Sequence, residues 1–163
     1  MNTSRCIWTW LRCWQVHLRM KDKHIKMYMS IAEVMAQQSK DTRLKVGCVI
    51  VKDGNIIAEA YNGHTRHIDD PNQLDDGTTD PRVRHAEKNG LMKLIRSNEN
   101  AVGATMFVTH ACCYFCAIDI VDSGIAKVYY QNEYRCTKGL DHLKKYGVKV
   151  TRLGICGVKN EYD

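Results

Sequence analysis

From about residue 85 onward the chain repeats one unit three times, a stretch of helix-forming residues followed by a short run rich in β-branched and apolar residues. The helical stretches fall near 85–96, 114–123 and 138–146, and the runs that follow them are 104–109, 127–131 and 148–153. Strands joined through helices lie parallel, with right-handed crossovers. The preceding part of the chain obeys a different rule. Residues 46–51 and 56–61 are apolar runs separated by Lys52-Asp53-Gly54-Asn55, and Asp-Gly between two such runs is a hairpin signal, so these two strands are antiparallel. Before them, Ile25, Met29, Ile31, Ala32 and Met35 recur at helical spacing over 21–40, an amphipathic helix. The expected fold is α/β, a three-layer α/β/α arrangement whose central five-stranded mixed sheet carries helices on both faces.

Two segments stand outside this pattern. Residues 64–84 hold both prolines, Pro71 and Pro81, and a run of aspartates without hydrophobic periodicity, and read as one long loop. Loops of that length inside a compact domain often carry function, so a lid or an interface role is weighed against a solvated acidic excursion. Residues 1–19 contain all three tryptophans and Arg5, Arg12 and Arg19 with no acid, and read as a poorly ordered extension ahead of a domain spanning 20–163. That arm carries three of the six excess positive charges of the whole chain. The remaining body, at only +3, suits an anionic small molecule better than a phosphate-tracking groove, which argues against nucleic acid as a partner. No apolar run approaches the ~18 residues a membrane-spanning helix requires, and no secretory signal is visible, so the cytoplasm is the expected compartment.

Eight cysteines in a reducing compartment argue for metal or for buried thiols rather than for a disulfide framework. Three of them crowd into Cys112, Cys113 and Cys116, where a strand runs into a helix. Cys113 and Cys116 stand three residues apart on one helical turn and can face one ion. His85, at the start of another helix, supplies a third ligand. Three protein ligands leave the fourth tetrahedral position of Zn2+ open to water, the arrangement of catalytic zinc. Glu87, two residues after His85, stands where a general acid–base group is needed to move protons. Other readings weigh against this one. Cys-x-x-Cys alone also serves as a redox pair, and a purely structural zinc site would recruit His110 as a fourth ligand. Cys112 competes with Cys113 for the metal, but only Cys113 keeps the two-residue gap to Cys116.

His85-Ala86-Glu87 followed by Cys113-Tyr114-Phe115-Cys116 resembles the His-x-Glu and Pro-Cys-x-x-Cys pattern of zinc nucleobase deaminases, with Cys112 in the place of the proline. Further stretches narrow the resemblance: 44–51, Tyr61-Asn62-Gly63, Lys88-Asn89 after the glutamate, Ser123-Gly124-Ile125 and 128–134. Over 27–153 the chain is similar to the deoxycytidylate (dCMP) deaminase family of the cytidine deaminase superfamily. The resemblance implies a cytidine deaminase-like fold and zinc-dependent hydrolysis of dCMP to dUMP and ammonia, supplying dUMP for thymidylate synthesis. It implies a homo-oligomer, commonly a hexamer, activated by dCTP and inhibited by dTTP with Mg2+. It also implies that Asn62 contacts the sugar and that Ala86 and Tyr134 face the nucleotide. The rival substrates are a tRNA or other nucleic-acid base, and the rival class is a zinc module without catalysis.

Overall fold

Asp53 and Gly54 turn the chain back on itself with φ of 49° and 80°, the paired positive dihedrals that a two-residue hairpin needs. They join β1 (Gly47–Lys52) to β2 (Asn55–Tyr61), antiparallel as the Asp-Gly signal requires. The computed structural model describes residues 20–65, 68 and 70–154. The arm at 1–19 therefore lies outside the described residues. Before the hairpin comes α1 (Asp22–Ala36), and after it α2 (Ala86–Leu94), β3 (Thr105–His110), α3 (Tyr114–Asp122), β4 (Lys127–Asn132), α4 (Lys138–Lys145) and β5 (Lys149–Arg152).

The strands lie in the order β2-β1-β3-β4-β5, a mixed sheet. β1 pairs antiparallel with both β2 and β3, whereas β3, β4 and β5 run parallel through α3 and α4. Alternation along the strands divides the core in two. Val49, Val51 and Phe107 meet Tyr28, Met29 and Ala32 of α1 on one face. Cys48, Ile50, Met106, Val108 and Val128 face the other way, onto α2, α3 and α4. Helices thus cover both faces unevenly, one against three, because the crossovers from β2 to β3, β3 to β4 and β4 to β5 all move the same way along the sheet with the same hand and so return on the same side.

Two helix ends and one strand register differ from the sequence reading. α1 stops at Ala36, because Ser39 turns its hydroxyl onto the Asn62 carbonyl (2.7 Å) and Asp41 accepts the N–H groups of Arg43 and Leu44, local bonds that replace the helical ladder. α2 stops at Leu94, where the Ser97 hydroxyl takes up the Leu94 carbonyl. The register shifts between Ile50 and Val51, a bulge that no residue type announces.

Among its described residues the 64–84 segment holds no helix or strand, as the loop reading expects, but isolated antiparallel bridges tie it down between Gly63 and Arg84 and between Gln73 and Thr79. Asn72 is only 1 % exposed, and its side-chain amide reaches the Asn62 carbonyl. Asp80 is buried as well; its backbone N–H bonds the Asn72 carbonyl and its carboxylate takes a forked hydrogen bond from Arg82.

Candidate active site

β3 ends at His110 and β4 at Asn132, and at their carboxyl ends the chain opens into a cleft of about 610 Å3. Such crevices, beyond the carboxyl ends of parallel strands, are where open α/β sheets bind ligands. Two helices point their first turns at it. His85 is the extended residue before α2 (φ −66°, ψ 156°), and Cys113 is its counterpart before α3 (φ −72°, ψ 168°). Both sit where a helix offers free N–H groups, and the Cys116 N–H bonds the Cys113 sulfur at 3.5 Å.

His85 Nδ1 lies 3.4 Å from both Cys113 Sγ and Cys116 Sγ, and all three donor atoms fall within 4.8 Å of one another. Ligands bound to zinc at ~2.0–2.3 Å in a tetrahedron stand at about such separations. The electrostatics of the cluster divide its two thiols. Cys113 is the thiol held low, at about 4, first by the hydrogen bond from Cys116 and then, against burial, by His85. Cys116 is pushed up as the donor in that bond and by its burial. A divalent cation among the three atoms is what allows both sulfurs to be thiolates at neutral pH. These residues fit zinc, with one position left for water.

The competing ligands stand apart. Cys112 is fully buried in the core, outside the cluster, and burial raises its thiol well above the ordinary range. His110 bonds Thr109 through Nδ1 (3.2 Å) and lines the cleft without joining the cluster. Among the described residues the cluster therefore has three protein donors, not the four of a purely structural site.

Glu87 lies in the first turn of α2, 3 % exposed, and lines the same cleft as His85 and Cys113. Burial raises its carboxyl above the usual range, against its own backbone N–H and His85, which lower it. Ala86, fully buried, and Tyr134 also line the cleft, the latter with the Arg135 guanidinium 5.4 Å above its ring. Asn62 also lines the cleft, and its amide is largely engaged by the protein itself. Its Oδ1 accepts the Val46 N–H at 2.8 Å and its Nδ2 donates to the Leu44 carbonyl at 2.9 Å. It braces the wall, and its second amide hydrogen is used in neither bond. Asn89 is a further brace, donating to the carbonyls of Tyr61 (3.0 Å) and Gly63 (3.2 Å).

The sequence reading missed the mouth of the cleft. Exposed Arg43, Glu133 and Arg135 line it together with Asp41 and Thr79. Arg43 bonds Thr79, and Glu133 is already paired with Arg152. No motif marks the two arginines; they come together only through the fold.

Residues 22–132 match the model of the cytidine and deoxycytidylate deaminase zinc-binding region. The crystal structure of dCMP deaminase from the cyanophage S-TIM5 in complex with dCMP and dUMP superposes with a TM-score of 0.79 at 41% identity, covering 82% of this chain and 99% of that one. The deoxycytidylate deaminase of Mycobacterium phage D29 is 33% identical over 120 residues, 65% of this chain and 92% of its own length. The deoxycytidylate deaminase of Saccharomyces cerevisiae is 31% identical over 142 residues, and the match spans 78% of this chain but only 44% of the yeast protein. The chain belongs to the cytidine and deoxycytidylate deaminase family.

Proposed function

We propose that the protein is a zinc-dependent dCMP deaminase, converting dCMP and water to dUMP and ammonia. The observation that carries this reading is the cleft itself: Glu87, His85 and Cys113 line it together with Arg43 and Arg135, so one cavity offers both a place for hydrolysis and cations for a phosphate. The S-TIM5 relative, described with dCMP and dUMP bound, supports the same substrate.

His85, Cys113 and Cys116 would hold the zinc. When bound there, zinc supplies a Lewis acid that brings the pKa of a water toward ~7. Glu87 takes a proton from the attacking water and delivers it to ring N3 as the oxygen adds to C4. It then passes the second proton to the amino group, the C4–N bond breaks, ammonia leaves, and the carboxylate is regenerated. Ala86 and Tyr134 confine the base, the Asn62 amide faces the sugar, and Arg43 and Arg135 pair with the phosphate.

The resemblance to the dCMP branch supports an extension of this reading. The enzyme is a cytoplasmic hexamer that supplies dUMP for thymidylate synthesis, activated by dCTP and inhibited by dTTP with Mg2+. Among the described residues no helix is long and apolar enough to cross a membrane.

The test is ammonia release from dCMP, CMP, deoxycytidine and a tRNA adenosine substrate, with Glu87→Ala beside the parent. Turnover is expected with dCMP and is expected to fall by about 10²- to 10⁴-fold in the variant, the usual worth of an acid–base group. Turnover of the tRNA alone would reassign the substrate. Stoichiometric zinc with no turnover of anything would leave a non-catalytic zinc module. Rates unchanged by dCTP or dTTP would remove the regulatory extension.

A further inference from the structure

The turn that carries the cysteine ligands lacks the proline that stiffens it in the Pro-Cys-x-x-Cys pattern, and Cys112 stands in its place. The Cys112 side chain is packed away in the core, so it adds no ring to restrict the turn. Another element presses on this peptide from behind. Gly139, in the first turn of α4, is buried, and a Cβ built on it would meet the Cys112 carbonyl oxygen at 2.2 Å and the Cys113 carbonyl carbon and oxygen at 2.9 Å. All three atoms are backbone and cannot swing aside as the tip of a flexible side chain would. The contact is maintained from within α4, whose Leu140 and fully buried Leu143 pack in the same cluster as Ala111, Cys112 and Cys116.

We infer that Gly139 is a positioning residue for the metal site: its bare Cα lets α4 seat directly on the Cys112–Cys113 peptide, holding the ligand turn in the place where a proline ring would otherwise stiffen it. This rests on the reading of Cys113 and Cys116 as zinc ligands. Gly139 touches neither metal nor substrate and acts only through the backbone of Cys113. Groups behind the ligands commonly change metal affinity by about 10- to 100-fold.

Helix propensity alone predicts the opposite sign, since alanine is a better helix former than glycine. Gly139→Ala should therefore leave the protein equally or more stable unless the overlap decides. Gly47→Ala serves as the control. It meets the Ala32 carbonyl oxygen at 1.9 Å, an overlap at least as severe, but between β1 and α1 on the opposite face of the sheet.

The experiment measures zinc affinity by competition with a chromogenic chelator, and the visible spectrum of the cobalt(II)-substituted protein, in the parent and both variants, at a temperature where all three are folded. The expected result is zinc bound about 10- to 100-fold more weakly in Gly139→Ala, with a shifted cobalt spectrum, while Gly47→Ala loses melting temperature but keeps parental affinity and spectrum. Parental affinity and spectrum in Gly139→Ala would overturn the inference, as would an equal loss in both variants. Should Gly139→Ala not fold, Leu140→Ala, which loosens the seat without adding an overlap, takes its place under the same two criteria. A parent that binds no zinc would instead overturn the ligand assignment itself.

Discussion

Removing one of two adjacent thiols separates a ligand from a core residue. Cys113→Ala is expected to purify without stoichiometric zinc. Cys112→Ala should keep one zinc per chain and lose about 1 kcal/mol of stability, the worth of roughly one buried methylene-sized group. Metal analysis beside denaturant unfolding checks both, and the reverse pattern would reassign the ligand. The two-residue gap to Cys116 points to Cys113, because one helical turn fixes which sulfurs share a face, and the His85–Cys116 cluster includes Cys113 and not Cys112. Arg43 and Arg135 were not legible, since each stands one residue outside a family-like stretch, 44–51 and 128–134, and belongs to no pattern. Their roles can be measured nonetheless. Replacing either with alanine should raise KM for dCMP by about 10- to 100-fold, the cost of a charge-assisted hydrogen bond, and leave kcat/KM for deoxycytidine nearly unchanged. Equal losses on nucleotide and nucleoside would remove the phosphate assignment.

At the scale of elements, periodicity was legible wherever burial is one-sided. The α1 stripe, the alternating strands and the Asp-Gly hairpin each follow from which side chains can face a core. The 64–84 segment was not legible in this way, because it is built from polar groups that satisfy one another, and sequence periodicity reports only apolar faces. Asn72 and Asp80 fold inward there because each finds a partner. The Arg82 guanidinium, bonded to the Asp80 carboxylate, holds that group down to about 2, with the nearby His64 adding a smaller pull; Arg82 also pairs with Asp70. A carboxyl lowered by folding stabilises fully above its unfolded value of about 4 and loses that contribution as the pH falls toward 2. Amide protection over 72–84 should therefore decline between pH 4 and pH 2 relative to that of β1 and β3. Asp80→Asn should show the loosened segment already at neutral pH. Protection that is flat across this range, once corrected for intrinsic exchange, would mean that the Asp80–Arg82 pair does not hold the segment.

For the molecule as a whole, a metal held by His85, Cys113 and Cys116 would cross-link parts of the chain that the sheet alone does not tie together. His85 belongs to the end of the 64–84 segment and the start of α2, whereas both cysteines belong to the turn after β3. Directly between α2 and α3 stands the Lys88–Asp119 pair at 3.3 Å, a half-exposed salt bridge of little worth. Zinc bound only by the folded chain stabilises it by about 4 kcal/mol when free metal exceeds its dissociation constant a thousandfold. For a domain of this size each kcal/mol moves the melting point by about 2–4 °C, so chelation should lower Tm by on the order of 10 °C. Binding of zinc by Cys113 and Cys116 in the unfolded chain would make the drop smaller, which is why variants decide the matter better than the absolute shift does. His85→Ala should begin near the lower Tm and respond weakly to chelator, since two sulfurs on one turn no longer join the two helices. Glu87→Gln should keep the full response, because in the proposed mechanism Glu87 moves protons and holds no metal. If His85→Ala keeps the parental drop, the histidine is no ligand and the cross-link fails. If Glu87→Gln loses it, the carboxylate is part of the metal's support, and its place in the reaction must be redrawn.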